Sequence, residues 1–463
     1  MAKSTLPARG TAVAEIFSAW AADLSARDIP ERARWSAAHA LLDHTGLAVA
    51  ARREPYMDSI LRAWTEEGPC TAFGQKGGLD LAGAALVNGT AAHGEDYDDT
   101  FEGTPVHTSA AVIPAVLAVC ERFGRSGADA LRGIVVGQEL MCRMALVAPT
   151  AQHRAGFHPT AVLGAFGATA GAGVALGLSP EQLTDALGIA GSFASGIIEY
   201  LAEGTWTKRI HPGWAAQAGL RAALLGREGF RGPRTVMEGT HGFFTAFGTE
   251  GIEPDYSEMR EELGRTWRMQ NIAFKPYACG TMAQPFIDCA IRLAEAGVRP
   301  QEIASVLCKV GEGTVHRLWE PLAEKRRPSS SYSAKFSVPF CVAAGFVDRA
   351  AGLGQFAEGH IRDPRILGVA EKVGYEIDPN DEYPRNYTGT VIVTLKDGTV
   401  REERQGHLRG GANEPLGEAE LIAKFRANCR YGGWAEAQAD ALAAFCGTLF
   451  DAPSLEGLAR FRI

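Results

Sequence analysis

The stretch VNGTAAHGEDYDDTFEGTPVHTSA, residues 87–110, gathers acidic and imidazole side chains between two apolar, alanine-rich segments with helical spacing. Burying charges beside such segments is costly unless each charge finds a partner or stays hydrated. The stretch is therefore the first candidate for a functional site. Its ionisable side chains of interest are Glu95, Asp96, Asp98, Asp99, His93 and His107.

Asp96 and Thr100 are four residues apart, so they share one face if the helix predicted for residues 79–94 continues through them. The acidic run also resembles a divalent-cation site, but such a site needs further oxygen ligands and the sequence has no second acidic cluster. We therefore expect no metal. Asp98 and Asp99 could instead simply cap a helix.

Composition limits the class of protein. The chain has 463 residues, enough for two or three domains, and its net charge of −8 argues against a nucleic-acid binder. Its nine cysteines stand singly with no CxxC pair, which is typical of reduced cytosolic thiols. No signal peptide and no long apolar span are evident. We expect a cytoplasmic protein with no membrane or nucleic-acid partner and no cofactor.

Helical periodicity predicts a mainly α fold. Helices are expected at 11–51 (two), 107–123, 127–147, 212–228, 281–296, 334–352 and 415–463. The glycine- and alanine-rich segment 156–196 predicts closely packed helices. Residues 304–310 and the hairpin pattern around Asp397-Gly398 predict strands. The predicted architecture is a large all-helical domain (1–268 and 409–463) with an inserted smaller α+β lid domain (269–408).

Four further segments place polar groups in apolar surroundings. Without any function, the histidines of these segments would be structural and their lysines and arginines would form a solvated basic face. However, a buried lysine has a lowered pKa and can act as a base, and cations can clamp an anionic substrate and its developing enediolate. Together these basic groups indicate an enzyme that removes a proton from a substrate carbon next to a carboxylate. The segments are GFHP (His158), TWTKRIHPG (Lys208, Arg209, His211), FKPYACGTMAQPFID (Lys275, Gln284) and AKFS (Lys335).

These motifs, with ALGIAGSFASG, GFRGP and GGANEPL, resemble the MmgE/PrpD family over nearly the whole chain. That family includes 2-methylcitrate dehydratase, cis-aconitate decarboxylase and iminodisuccinate epimerase. The resemblance implies a helical domain closed by a smaller lid, usually a homodimer, with a cofactor-free site between the two domains. It places active-site motifs on Asp96, Thr100, His107, His158 and Lys208.

Two positions depart from the family pattern. Gln284 replaces a histidine, and Phe340 replaces a tyrosine three residues after Ser337. Because dehydration and decarboxylation need a proton donor, whereas epimerisation needs two bases, these losses favour an epimerase of an iminodisuccinate-like dicarboxylate. A dehydratase, a decarboxylase and a non-catalytic ligand-binding relative remain alternatives. The predicted catalytic residues are Lys208, His107, His158 and Asp96; the predicted substrate-binding residues are Thr100, Arg209, His211, Lys275, Gln284 and Lys335.

Overall fold

The computed structural model describes residues 11–64, 66–104, 106–383 and 385–463. The fold is mainly α, as predicted. The first part contains short strands β1 (Glu67–Thr71), β2 (Gly78–Leu79) and β3 (Thr100–Phe101) among its helices. These helices are α1 (Val13–Asp23), α2 (Glu31–Ala50), α3 (Pro55–Ala63), α4 (Leu81–His93), α5 (Ser109–Phe123), α6 (Gly127–Val147), α7 (Ala151–Arg154), α8 (Pro159–Leu176), α9 (Pro180–Phe193), α10 (Tyr200–Glu203), α11 (Thr207–Arg227), α12 (Phe243–Ala246) and α13 (Ser257–Arg260).

The later part mixes helices with a sheet. Strand β4 (Ile272–Ala273) pairs with β3, and β5 (Ile303–Val310), β6 (Val373–Ile377), β7 (Gly389–Leu395) and β8 (Val400–Gln405) form one sheet in the order β6-β5-β7-β8. β5 is parallel to β6 and antiparallel to β7, and β7–β8 is the predicted hairpin. The helices are α14 (Gln284–Glu295), α15 (Glu312–Leu318), α16 (Leu322–Arg326), α17 (Ser331–Ala334), α18 (Val338–Asp348), α19 (Pro364–Ala370), α20 (Glu418–Tyr431) and α21 (Glu436–Thr448).

Small residues let the central helices α4, α5, α8 and α11 pack closely. Gly213 of α11 lies so near α4 that a methyl group there would overlap the Leu86 carbonyl, and one on Gly219 would come within 2.7 Å of the Ala165 carbonyl of α8. The predicted close packing is confirmed. Helix α8 is long and apolar enough to cross a membrane, but 94% of it is buried inside the fold, as in a helix of a protein core.

Two hydrophobic cores divide the described residues. The first joins the helices up to Phe274 with residues from Leu416 to Phe461, and the second is built mainly from residues 277–393. The C-terminal helices therefore pack with the first part of the chain. Helix α20 lies on α2, with the Phe425 ring against Gly46 and Lys424 paired with Asp43 at 2.7 Å.

The condition of one local prediction was not met, and the start of one helix was predicted wrongly. Helix α4 ends at His93 and the chain then turns, with Asp96 at φ +55° and Thr100 in β3, so Asp96 and Thr100 do not share a helical face. Helix α11 starts at Thr207 rather than 212, because Pro212 lies inside the helix instead of opening it. Lys208 and His211 are consequently three residues apart on one helix and lie on the same face.

Candidate active site

The turn after α4 places two consecutive acidic residues among four cations. Glu95 Oε1 accepts a hydrogen bond from Arg209 Nη1 at 2.9 Å, and Glu95 Oε2 contacts the Lys335 ammonium. Asp96 Oδ1 contacts the Lys208 ammonium, and the Asp96 backbone carbonyl accepts from Lys275 Nζ at 2.9 Å. The cations come from α11, the segment after β4 and the segment after α17, so this turn is where the parts of the fold meet.

The ion pair of Asp96 and Lys208 keeps both groups charged. Burial alone would raise the pKa of Asp96, but Lys208 and then Lys275 outweigh it and hold that pKa below its usual value. Burial would likewise lower the pKa of Lys208, but Asp96 and Tyr200 raise it above the usual value. The expectation that Lys208 has a lowered pKa was therefore wrong, because its counter-charge lies beside it.

Lys275 is the lysine whose pKa is lowered. Its side chain is buried, and burial lowers the pKa more than the neighbouring Asp98 and Asp96 raise it. Its ammonium donates to the Asp96 carbonyl, a neutral acceptor, rather than to a carboxylate. Lys275 therefore loses its proton more readily than Lys208 does.

His107 is held in one tautomer. Its Nδ1 lies 2.7 Å from the Asp99 backbone carbonyl, which can only accept, so Nδ1 carries the proton and Nε2 is bare. Burial, the largest effect, lowers the pKa of His107 to about 3 despite the opposing charge of Asp98. His107 is therefore neutral at physiological pH and can accept a proton at Nε2.

His158 and His211 form a second imidazole pair. Their Nδ1 atoms are 3.1 Å apart, so one of them donates to the other. Burial lowers the pKa of His158 well below its usual value and that of His211 to about 4, and the charge of Lys208 adds to both effects. His158 precedes α8 as its N-cap residue. Because these two imidazoles are in hydrogen-bond contact, the GFHP and TKRIH motifs share one site.

Asp98 and Asp99 have different roles. Asp98 Oδ2 lies 2.7 Å from His93 Nδ1, and although burial would raise the pKa of Asp98, His93 and His107 hold it below its usual value. Asp99 accepts from the Thr108 hydroxyl at 2.8 Å and the Ser109 amide at 3.3 Å, so it does cap the start of α5. Burial and then Asp98 raise the pKa of Asp99 to about 7.

One group of side chains has the composition of a metal site. Ligand atoms of His93, Asp98 and His107 lie within 4.8 Å of one another. However, Nδ1 of His93 is hydrogen-bonded to Asp98 and Nδ1 of His107 to the Asp99 carbonyl. The charge of Lys275 also acts on Asp98. Among the described residues His93 Nε2 and Asp98 Oδ1 have no hydrogen-bond partner, but both Nδ1 atoms are occupied and Lys275 places a positive charge beside Asp98, so we assign no metal to this group.

Two further predicted residues, Thr100 and Gln284, are buried, and among the described residues neither side chain is hydrogen-bonded to the four cations. Thr100 pairs with Ala273 in the β3–β4 ladder. Gln284 begins α14 and donates weakly, at 3.4 Å, to the Tyr277 and Cys279 carbonyls. Among the described residues its Oε1 has no hydrogen-bond partner. Phe340 is fully buried in the second core, where its ring packs against another phenylalanine.

Sequence reasoning gave no role to several side chains that build the site. Tyr56 donates to Glu95 Oε1 at 3.2 Å, and Tyr200 lies beside His158 with ring centroids 6.1 Å apart. Tyr56, Glu95, Arg209 and Tyr332 all line one cavity of about 320 Å³. In the sequence, only the spacing of Tyr332 and Lys335, three residues apart before α18, indicated that Tyr332 lies near a predicted site residue.

Comparisons with known proteins match both parts of the chain to one family. Residues 15–254 match the family model of the MmgE/PrpD N-terminal domain, and residues 277–445 match that of the MmgE/PrpD C-terminal domain. A cis-aconitate decarboxylase of Aspergillus terreus is 28% identical over 88% of this chain and 87% of its own length. Those of Homo sapiens and Mus musculus are 31% and 30% identical over 74% of this chain, and cover 72% and 71% of their own lengths.

Proposed function

This chain belongs to the MmgE/PrpD family, and we propose that it is a lyase that removes carbon dioxide from a small unsaturated tricarboxylate of the cis-aconitate type. The similar proteins named cis-aconitate decarboxylase support the reaction class. The observation that carries the proposal is the buried ion pair of Lys208 and Asp96, which keeps a proton donor where α11 meets the turn after α4, the region that we call the crevice.

Decarboxylation needs an acid more than a base. The bond between carbon and the departing carboxylate breaks, and its electron pair moves into the adjacent C=C bond and the carboxylate conjugated with it. The Lys208 ammonium then gives its proton to carbon, so an N–H bond breaks and a C–H bond forms. Solvent restores the lysine proton. Lys208 thus supplies the proton that Gln284 and Phe340 cannot donate.

The site also offers charge for the transition state. The electron pair released from the breaking bond spreads onto carboxylate oxygens, where cations fixed in a water-poor crevice stabilise it more than bulk water does. Lys275 is placed for this task because its ammonium is held by a backbone carbonyl and not by a carboxylate. His107, neutral and bare at Nε2, can accept a hydrogen bond from a protonated substrate group or from water.

An epimerase, the function favoured by the sequence, is not supported. It would need two bases on opposite faces of one C–H bond, and Lys208 was expected to be one of them. The pKa of Lys208 is instead raised by Asp96, which leaves it charged and unable to accept a proton. The named relatives are decarboxylases, which agrees with this chemical argument.

We also propose that residues 269–408 form a lid inserted between 1–268 and 409–463. Three features support this division: the separate second core, the packing of α20 on α2, and the reach of Lys335 to Glu95 across the crevice. Substrate would enter between Tyr56 on the helical side and Tyr332 on the lid side.

A homodimer in the cytoplasm is a further part of the proposal. Ile197, Leu201, Trp206 and Trp214 expose 45–60% of their surfaces near the crevice, and large apolar side chains left in water often mark an interface. All nine cysteines are buried free thiols, in keeping with a reducing compartment. Sedimentation of the chain and its Trp214→Glu variant tests the dimer: the variant should shift toward monomer.

The function is tested by carbon dioxide release. The purified chain should release carbon dioxide from cis-aconitate and leave a five-carbon unsaturated dicarboxylate, both detectable by ¹³C NMR. Propane-1,2,3-tricarboxylate is the matched control, since it has the same carboxylates but no double bond to receive the electron pair. It should remain unchanged. Conversion of cis-aconitate to a hydrated acid, or no conversion, would reject the proposal.

A further inference from the structure

Arg209 lies at the mouth of the crevice between two aromatic rings. Its guanidinium carbon is 4.4 Å from the Tyr56 ring centroid and 5.6 Å from that of Tyr332, distances at which a cation is attracted to both ring faces. Tyr56 belongs to the helical part and Tyr332 to the proposed lid. The two rings therefore hold the guanidinium plane in one place where the two parts meet.

Arg209 uses little of its hydrogen-bonding capacity. In the part of the chain that the structure describes, Nη1 is its only guanidinium nitrogen with a hydrogen-bond partner, namely Glu95 Oε1. A guanidinium has five N–H groups in a planar fork that fits a carboxylate with two parallel hydrogen bonds. The side chain keeps 14% of its surface exposed and lines the cavity between the two parts, so the unused edge can reach a bound anion.

Glu95 holds Arg209 through the hydrogen bond at Nη1. Its second oxygen contacts Lys335, whose ammonium also donates to the Glu95 backbone carbonyl at 2.8 Å. Lys335 is fully buried and is held by Glu95 through both contacts. The single Glu95 carboxylate is therefore shared between two cations, Lys335 and Arg209, so positive charge remains at Arg209 for a ligand.

We infer that Arg209 is a specificity-determining residue that binds a carboxylate of the substrate remote from the reacting bond, and that Glu95 is the positioning residue that aims it. This inference rests on the proposed function, since it assumes an acid in the crevice. Glu95 contacts Arg209 and Lys335, whereas Asp96 contacts Lys208 and Lys275. Of these four cations only Arg209 lines the cavity of about 320 Å³. The site thereby favours three carboxylates over two.

Two unreactive acids test the inference directly. Propane-1,2,3-tricarboxylate and methylsuccinate share one carbon skeleton and differ by a single terminal carboxylate. Their dissociation constants for the full chain, measured by titration calorimetry, give a preference ratio that isolates the remote carboxylate. The unmodified chain should bind the tricarboxylate more tightly.

Arg209→Lys keeps the charge but removes the fork and its stacking. It should weaken tricarboxylate binding by about 10- to 100-fold, the loss expected for charge-assisted hydrogen bonds, and change methylsuccinate binding by less than about threefold. Arg221→Lys, at an exposed position on the same helix, is the matched control and should change neither.

The positioning of Arg209 is tested separately. Tyr332→Phe keeps the ring and should preserve the preference ratio, whereas Tyr332→Leu should lower it by about three- to tenfold. Glu95→Gln should also lower the ratio and, in turnover, raise KM far more than it lowers kcat. If Glu95 had a purely structural role, Glu95→Gln would weaken the binding of both acids equally. It would lower the melting temperature and leave the preference ratio unchanged.

The outcomes separate the two proposals. If Arg209→Lys leaves the preference ratio unchanged, whether or not both acids bind more weakly, the role of Arg209 is overturned and the proposed function stands. Failure of both acids to bind the unmodified chain would overturn the proposed function, and this inference with it.

Discussion

The Lys208 ammonium and the Asp96 carboxylate, 112 residues apart in the chain, form an ion pair whose side chains expose only 11% and 6% of their surfaces. This pair decides which proton chemistry the crevice can perform. A lysine beside a carboxylate stays protonated and donates, whereas a lysine buried alone loses its proton and accepts. The neutral histidines around the pair complete a site with one fixed acid and several weak bases.

Removing the acid should abolish turnover. We expect Lys208→Met to lower kcat by about 10²- to 10⁴-fold, the usual contribution of a positioned general acid. The same substitution leaves Asp96 buried without its partner, which should cost about 3–5 kcal/mol of folding free energy. Steady-state kinetics and urea unfolding measure the two effects.

The double variant Lys208→Met/Asp96→Asn separates catalysis from stability. Without the unpaired carboxylate it should regain most of the lost free energy of unfolding, yet remain inactive. Recovery of activity along with stability would show that Lys208 serves only to compensate Asp96.

Asp99 should give the free enzyme a titration near neutrality. Because burial raises its pKa to about 7, Asp99 is neutral at pH 6 and charged at pH 8, where it adds negative charge beside Asp98 and opposes an anionic substrate. We expect kcat/KM to fall by about five- to tenfold as the pH rises through 7. In Asp99→Asn the fall should disappear; its persistence would assign the titration to another group.

The same group makes a prediction for stability. Its pKa is higher in the folded than in the unfolded chain, so the proton it binds stabilises the fold at low pH, and this stabilisation is lost as the pH rises toward 7. The melting temperature of the unmodified chain should therefore decline, relative to that of Asp99→Asn, between pH 5 and pH 8. Parallel curves for the two proteins would contradict the raised pKa.

Binding of an anionic acid should take up protons. His107 and His211 are neutral, with pKa values lowered to about 3 and about 4 mainly by burial, and a bound polyanion supplies the counter-charge that raises them. Calorimetry of propane-1,2,3-tricarboxylate binding in buffers of different ionisation enthalpy should show net uptake that is larger at pH 7 than at pH 8. His211→Gln should take up less, and zero uptake at both pH values would refute the account.

The packing of α11 on α4 makes a prediction away from the chemistry. A methyl group on Gly213 would overlap the Leu86 carbonyl, so Gly213→Ala should force the helices apart and cost about 1–3 kcal/mol. Gly368→Ala is the matched control in the interior of α19, where no atom lies within 4 Å of the added carbon. It should stabilise the fold by about 0.5–1 kcal/mol. Thermal melts of the two variants should shift in opposite directions.

Local signals in the sequence predicted the regular elements. Ser179 precedes α9 with Pro180 and Gln182 in the expected capping positions, and the alternation around Asp397-Gly398 gave the β7–β8 hairpin. The partners of the acidic cluster could not be predicted in this way. The left-handed turn at Asp96, which a helical pattern does not reveal, sends Glu95 and Asp96 to different cations.

The charge state of Lys208 shows why motifs alone misled the prediction of the reaction. The segment TKRIH indicated a buried lysine, and burial by itself lowers the pKa of an amine. Only the three-dimensional contact with Asp96, far away in sequence, reverses the direction of that shift. Lys208, which the sequence predicts to be a base, is therefore a proton donor in the structure, and the favoured reaction changes from epimerisation to decarboxylation.

The most direct test of the account is the reaction of cis-aconitate in deuterated water, followed by NMR. A decarboxylase with Lys208 as donor predicts one carbon dioxide released per substrate consumed and a single deuteron on carbon in each product molecule, with neither signal in Lys208→Met. Deuterium entering the substrate without carbon dioxide release would contradict it.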